Sequence, residues 1–144
     1  MLDFRSAGGG GANLMKPAAK SLTSLEGMRV LLVEDEMMLA MMAEDALTEL
    51  GCTVVSASRV SKALALAKNE IFDVALLDVN VAGEEVYPVA DALILRSVPF
   101  VFATGYGQSG LRHRYRTRRA LEKPYRHEDI GLALAEAMAG NVGA

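Results

Sequence analysis

An α/β fold, with helices on both faces of a five-stranded parallel sheet, follows from three features of this chain. Apolar, β-prone runs alternate with segments of helical periodicity from Met28 to Met138. The runs are short and almost wholly apolar, as strands buried on both faces are. The segments between them are long enough for the right-handed helical crossovers that parallel neighbours require.

Met28–Val33 is the first strand. Asp35–Leu50 follows as a helix, with Leu39, Met42, Ala46, Leu47 and Leu50 along one face and Gly51 ending it. The methionines of this helix are expected in the core, with Met37 and Met41 the pair that could face a partner. Thr53–Ala57 is the second strand, which Cys52 is expected to fill as a small hydrophobe. Ser58 is placed to cap a helix through Asn69, where Val60, Ala63, Leu64 and Ala67 recur at helical spacing. Phe72–Leu77 is the third strand, and Glu84–Arg96 a weaker helix with Pro88 in its first turns. Pro99–Ala103 is the fourth strand, Gly107–Arg116 a short and poorly patterned helix, and Ala120–Glu122 a short fifth strand. His127–Met138 is the last helix, with Ile130, Leu134, Ala137 and Met138 facing inward. Five strands and five helices over this length fit a flavodoxin-like three-layer sandwich with strand order 2-1-3-4-5.

Residues 1–27 differ from the rest. Gly8–Gly11 and Pro17 make them a flexible extension or tag-like segment, with a short helix over Leu14–Leu25 as the alternative. The patterned domain then spans 28–140, with 141–144 as a tail. The chain has 144 residues, 51% of them hydrophobic, enough for one domain with a substantial core. With 15 basic and 18 acidic residues its net charge is -3, which excludes a globally basic nucleic-acid binder. A single cysteine excludes an internal disulfide or a cysteine-based metal site and suits a reducing compartment. The longest apolar run, Met37–Ala43, falls far short of the roughly 18 residues of a membrane span, and the first residues lack a signal-peptide core. A cytoplasmic protein is expected.

Four phrases carry the chemistry. Val33-Glu34-Asp35, Leu77-Asp78-Val79-Asn80, Ala103-Thr104-Gly105 and Glu122-Lys123-Pro124 each close an apolar run with a polar group. In an open parallel sheet the carboxyl ends of the strands form the reactive crevice. One crevice would then hold three carboxylates, a hydroxyl and an ammonium. Three converging carboxylates repel one another unless a cation joins them. Mg²⁺ fits, because it takes oxygen ligands at about 2.0–2.1 Å and bridges to phosphate. Its ligands would be Glu34, Asp35, Asp78 and the backbone carbonyl of Asn80. Asp78 is placed as a nucleophile that becomes an acyl phosphate. Thr104 is placed to donate to a phosphoryl oxygen, Gly105 to let the backbone approach, and Lys123, held out of helical geometry by Pro124, to aim its ammonium at the cleft.

On these residues the chain resembles the receiver domains of bacterial two-component response regulators, over about 28–140. Glu34 and Asp35 match the family's acidic pair, Asp78 its phospho-acceptor, Thr104 its switch hydroxyl and Lys123 its lysine before proline. The resemblance implies a stand-alone response regulator. A histidine kinase or phosphotransfer protein would donate to Asp78 with Mg²⁺ as cofactor. Thr104 and Lys123 would then bind the phosphoryl oxygens and shift the face built from the fourth helix, fifth strand and fifth helix. Output would be protein–protein contact or phosphorelay by a monomer or weak dimer, without direct nucleic-acid or membrane binding. The run Pro99–Tyr106 also resembles single-domain receivers with a Phe-Ala-Thr-Gly signature, some of which act in stress-response phosphorelays.

The chain departs from the family at two places. Ala120 stands where receivers usually carry an aromatic switch residue, so the usual ring–hydroxyl coupling cannot operate. Tyr106 is the candidate to replace it or to shield the acyl phosphate. Ala82-Gly83 stands where the family has a proline after the acceptor. Between Thr104 and Lys123 lie Arg112, His113, Arg114, Arg116, Arg118 and Arg119. They are either a solvated loop or a partner surface, with Arg112, Arg114 and Arg116 the candidates to meet an acidic protein patch. His113 and His127 are expected at the surface.

Two other functions compete. One is a docking module that works without phosphorylation, against which the intact acidic pair and lysine stand. The other is an enzyme on the same fold. A dehalogenase-like phosphatase would carry a second aspartate where Asn80 stands, and a dinucleotide enzyme would carry glycines where Glu34-Asp35-Glu36 stand. No turnover of an external substrate is expected.

Overall fold

In the computed structural model, residues 25–142 are described; the extension read over 1–27, with its alternative helix over 14–25, lies outside them apart from residues 25–27. Five strands form the main sheet: β1 Arg29–Val33, β2 Thr53–Ala57, β3 Val74–Asp78, β4 Phe100–Thr104 and β5 Ala120–Glu122. All neighbours are parallel, in the order β2-β1-β3-β4-β5. The predicted 2-1-3-4-5 order is therefore observed. The connecting helices are α1 Met37–Glu49, α2 Val60–Asn69, α3 Tyr87–Leu95 and α4 His127–Val142.

Side-chain alternation along the strands sorts the core into two layers. Leu31, Val33, Ala75 and Leu77 pack with α2 and α3. Val30, Leu32, Val74 and Leu76 pack with α1 and α4. All eight are at most 1% exposed, as the apolar runs require of a sheet covered on both faces. Leu25 is also buried, and its carbonyl accepts a weak bond from the Cys52 thiol at 3.4 Å. Cys52 lies just before β2 and is buried, with its pKa raised by that burial.

Several expectations are corrected. No α-helix covers Gly107–Arg116. Two 3-10 turns, Gly107–Gly110 and His113–Tyr115, take its place. Glycines at 105, 107 and 110 disfavour a helix there, and no apolar stripe offsets them. The segment expected to supply a fourth helix to the output face is therefore a pair of turns and not a helix. The residue capping α2 is Arg59 rather than Ser58, and it makes no side-chain cap bond. On α1 the buried stripe is Ala43, Ala46 and Leu47, whereas Leu50 is exposed at the helix end. Met37, Met38 and Met41 are exposed and not in the core. Asp78 and Thr104 are the last residues of β3 and β4 rather than the residues after them.

The segment after Asp78 folds as a small antiparallel ladder, Asn80–Val81 against Glu84–Glu85. Its two-residue turn has Ala82 at φ 52° and Gly83 at φ 86°. Positive φ at both turn positions matches the right-handed twist of paired strands. This hairpin replaces the proline of the related family and leads into α3, which begins at Tyr87 with Pro88 in its first turn.

Candidate functional site

The carboxyl ends of β1, β3, β4 and β5 bring the four predicted phrases together. Glu34 directly follows β1 and is 4% exposed; Asp78 ends β3 and is 8% exposed. Asp35 is exposed beside them, and carboxylate oxygens of the three lie within 4.8 Å of one another. Lys123 follows β5, with Nζ 3.2 Å from Glu34 Oε1 and 3.2 Å from Asp78 Oδ1. Thr104, buried at the end of β4, is tied to the lysine through the backbone: the Lys123 N–H donates to the Thr104 carbonyl at 2.8 Å.

Local bonds hold this cluster in place. Glu34 Oε2 accepts the Glu36 N–H at 3.0 Å. Asp35 Oδ2 accepts the Ala82 N–H at 3.0 Å, which ties the acidic pair to the hairpin after Asp78. Asn80 is exposed at the start of that hairpin, two residues past Asp78.

The electrostatics show unfinished neutralisation. Burial pushes Glu34 up to about 7, with the nearby Asp78 charge adding to the effect and Lys123 opposing it. Burial also raises Asp78, against the lowering pull of Lys123. Burial disfavours the charge on Lys123, but the carboxylates of Asp78 and Glu34 outweigh it and raise its pKa. Tyr125, itself buried, is pushed up to about 12 by burial and the Glu34 charge. One ammonium thus meets the two buried carboxylates of a three-carboxylate cluster. A hard divalent cation is what oxygen donors in this arrangement suit, so the residues present fit Mg²⁺.

The remaining candidates are placed as follows. Tyr106 is 79% exposed, and its N–H donates to Thr104 Oγ1 at 3.1 Å. Ala120 starts β5 and packs at the edge of the core layer holding Phe102. Arg112, Arg114 and Arg116 are exposed. Arg112 pairs with Glu85 at 2.6 Å and Arg114 with Asp91 at 3.4 Å, while Arg116 Nε donates to the Leu111 carbonyl at 3.1 Å. The basic segment is therefore partly neutralised by acids of the chain itself. His113 and His127 are exposed, as expected.

Two residues were missed. Tyr115 is 3% exposed, stacks on Tyr87 with ring centroids 4.3 Å apart, and donates its hydroxyl to Asp91 at 2.7 Å. It docks the arginine-rich segment on α3. An aromatic among arginines was the available signal. Gly110 carries no sequence signal of its own, yet its backbone lies directly against Thr104 Oγ1.

Comparison with known proteins agrees with this architecture. The model of the response regulator receiver domain matches residues 30–135. The solution structure of SdrG from Sphingomonas melonis Fr1 is similar at 41% identity, covering 81% of this chain and 97% of that one, with a TM-score of 0.67. The receiver domain of the sensor histidine kinase PA1611 from Pseudomonas aeruginosa PAO1, with a magnesium ion coordinated in its active site cleft, shares the fold at 21% identity. That alignment covers 78% of this chain and 98% of the other, with a TM-score of 0.66. The response regulator PhyR from Brucella abortus shares it at 23% identity over 90% of this chain and 55% of that one, with a TM-score of 0.70. Curated proteins yield no match. By sheet order, by domain match and by this likeness to SdrG, the chain belongs to the response regulator receiver domain family of two-component systems.

Proposed function

We propose that this receiver accepts one phosphoryl group on Asp78, from a histidine kinase or phosphotransfer protein, and passes the signal on by protein contact or phosphorelay. The observation that carries this reading is Lys123 bridging Asp78 and Glu34 at 3.2 Å each, at the mouth of a three-acid cluster. In the step, an Asp78 carboxylate oxygen attacks phosphorus. The P–N bond of the donor phosphoimidazole breaks, and the electron pair leaves with the imidazole nitrogen. Catalysis of this kind is positioning and charge neutralisation. Bound by Glu34, Asp35, Asp78 and the Asn80 carbonyl, Mg²⁺ would offset the charge gathered on the phosphoryl oxygens. Lys123 supplies the second cation, and the Thr104 hydroxyl donates to an oxygen of the acyl phosphate.

The product stays on the protein, so the chain is a stoichiometric acceptor and not a turnover enzyme. Among the described residues, no helix is long and apolar enough to cross a membrane, which suits action in the cytoplasm. Met37, Met38 and Met41 are exposed on α1, and a groove of about 420 Å³ beside the site is lined by Glu36, Leu39, Met42, Lys123, Pro124 and Tyr125. This largely apolar groove, with Glu36 and Lys123 in its lining, suits the approach of a donor helix. The run Pro99–Tyr106 supports a place among the Phe-Ala-Thr-Gly receivers. Intact mass spectrometry after acetyl phosphate and Mg²⁺ treatment tests the reading. The wild type should gain the mass of one phosphoryl group and Asp78→Asn none. Equal gain in both would overturn it.

A further inference from the structure

We propose that Gly110 is a positioning residue for the switch: its missing side chain lets the Gly107–Gly110 turn close on the Thr104 hydroxyl and so couples the acceptor site to the arginine-rich segment. This rests on the acceptor role of Asp78 proposed above.

The contact is tight. A Cβ on Gly110 would lie 2.8 Å from Thr104 Oγ1 and 2.8 Å from Tyr106 Cβ. Gly110 does not have a positive φ, so the need for glycine here is space and not conformation. At Gly105, where the sequence suggested a close backbone approach, a Cβ would meet nothing within 4 Å. The steric requirement has moved five residues along the chain.

The turn is bonded to the hydroxyl on one side and anchored in the core on the other. Tyr106 N–H donates to Thr104 Oγ1 at 3.1 Å, and Ser109 Oγ closes the turn on the Tyr106 carbonyl at 2.7 Å. Leu111, next after Gly110, is 2% exposed. Arg112 N–H donates to the Tyr87 hydroxyl at 2.9 Å. A Thr104 hydroxyl that turns toward a phosphoryl group on Asp78 changes its contacts with Tyr106 and Gly110 together. The displacement reaches Leu111 and Arg112 because packed segments shift as units. No ring at position 120 is needed. A methyl at 110 would wedge the turn off Thr104 in both states and break the relay.

The test is amide NMR of the full chain before and after acetyl phosphate and Mg²⁺, with intact mass measured in parallel. In the wild type, phosphorylation should shift the Gly110, Leu111 and Arg112 amides. Gly110→Ala should still gain the phosphoryl mass and lose the Leu111 and Arg112 shifts. Thr104→Val should lose them too, and adding Gly110→Ala to it should change nothing further. A purely structural role would make the two changes additive. Should Gly110→Ala fail to fold, Thr104→Ser against Thr104→Val decides: serine should keep the shifts and valine lose them. Wild-type shifts in Gly110→Ala, additivity, or retained shifts in Thr104→Val would overturn the proposal. A wild type that gains no phosphoryl mass would instead overturn the acceptor role on which it rests.

Discussion

Lys123 Nζ stands 3.2 Å from Asp78 Oδ1 and, on its other side, 3.2 Å from the oxygen of a glutamate that is 2% exposed in its side chain. The lysine is the one cation within reach of two buried carboxylates among the described residues. Removing one partner of such an arrangement leaves charge uncompensated. Lys123→Met should therefore lower the stability of the metal-free protein by about 3 kcal/mol at pH 8. At pH 5.5 the loss should shrink, because Glu34, with its pKa near 7, is then protonated. Urea unfolding at the two pH values measures this, and equal stability of variant and wild type at pH 8 would contradict it.

Glu34 also sets the pH dependence of metal binding. Its pKa is raised from 4.5 to about 7, so below 7 the metal must displace a proton. Calorimetric Mg²⁺ affinity should fall about tenfold per pH unit below 7 and level off above it. For folding the sign is opposite. A raised acid keeps its proton in the native state where the unfolded chain has lost it. The metal-free protein should thus lose stability as pH climbs from 4.5 to about 7. A pH-independent Mg²⁺ affinity would rule out the proton as competitor.

Burial raises the pKa of Asp78 against the lowering pull of Lys123. Asp78→Asn keeps the shape and removes a repelling charge, at the expense of the Lys123 pair. Because burial outweighs the lysine at this position, the neutral side chain should raise the melting temperature of the metal-free protein. A gain of about 1 kcal/mol corresponds to roughly 3–5 °C. Mg²⁺ should stabilise the wild type and do little for the variant. Scanning calorimetry with and without Mg²⁺ reads both effects, and a melting temperature below wild type without metal would contradict them.

Tyr115 and Tyr106 lie nine residues apart and should behave oppositely. Tyr115 is buried in a stack and bonded to Asp91, so Tyr115→Ala should cost about 3–5 kcal/mol, and Tyr115→Phe about 1 kcal/mol for the lost bond. Tyr106 is 79% exposed, so Tyr106→Ala should stay within about 0.5 kcal/mol. Chemical denaturation of the three variants settles the ranking. Equal losses at 106 and 115 would contradict the docking of the arginine-rich segment through Tyr115.

The sheet and its polar ends are legible in the sequence because both depend on local pattern. Val74–Leu77 can be nothing but a strand covered on both faces, and a carboxylate at its end is conspicuous. Thr104 and Lys123 stand out for the same reason. What the sequence hides depends on contacts through space. The weak pattern over Gly107–Arg116 reads as a poor helix, yet the backbone there is shaped by its close approach to Thr104 and by the Tyr87–Tyr115 stack. The α1 methionines read as core by hydrophobicity, but the helix turns Ala43, Ala46 and Leu47 to the sheet and leaves Met37, Met38 and Met41 outside. The arginines read as a free basic surface, while Glu85, Asp91 and Glu136 partly neutralise them.

Chemical trapping at a single residue decides whether Asp78 is the acceptor. Borohydride reduces an aspartyl phosphate to homoserine, and peptide mass mapping then locates it. After acetyl phosphate and Mg²⁺ treatment, homoserine should appear at position 78 and nowhere else, and it should vanish when Mg²⁺ is chelated. Trapping at Asp35, or no trapping at any position in a folded protein with Mg²⁺ present, would contradict the account.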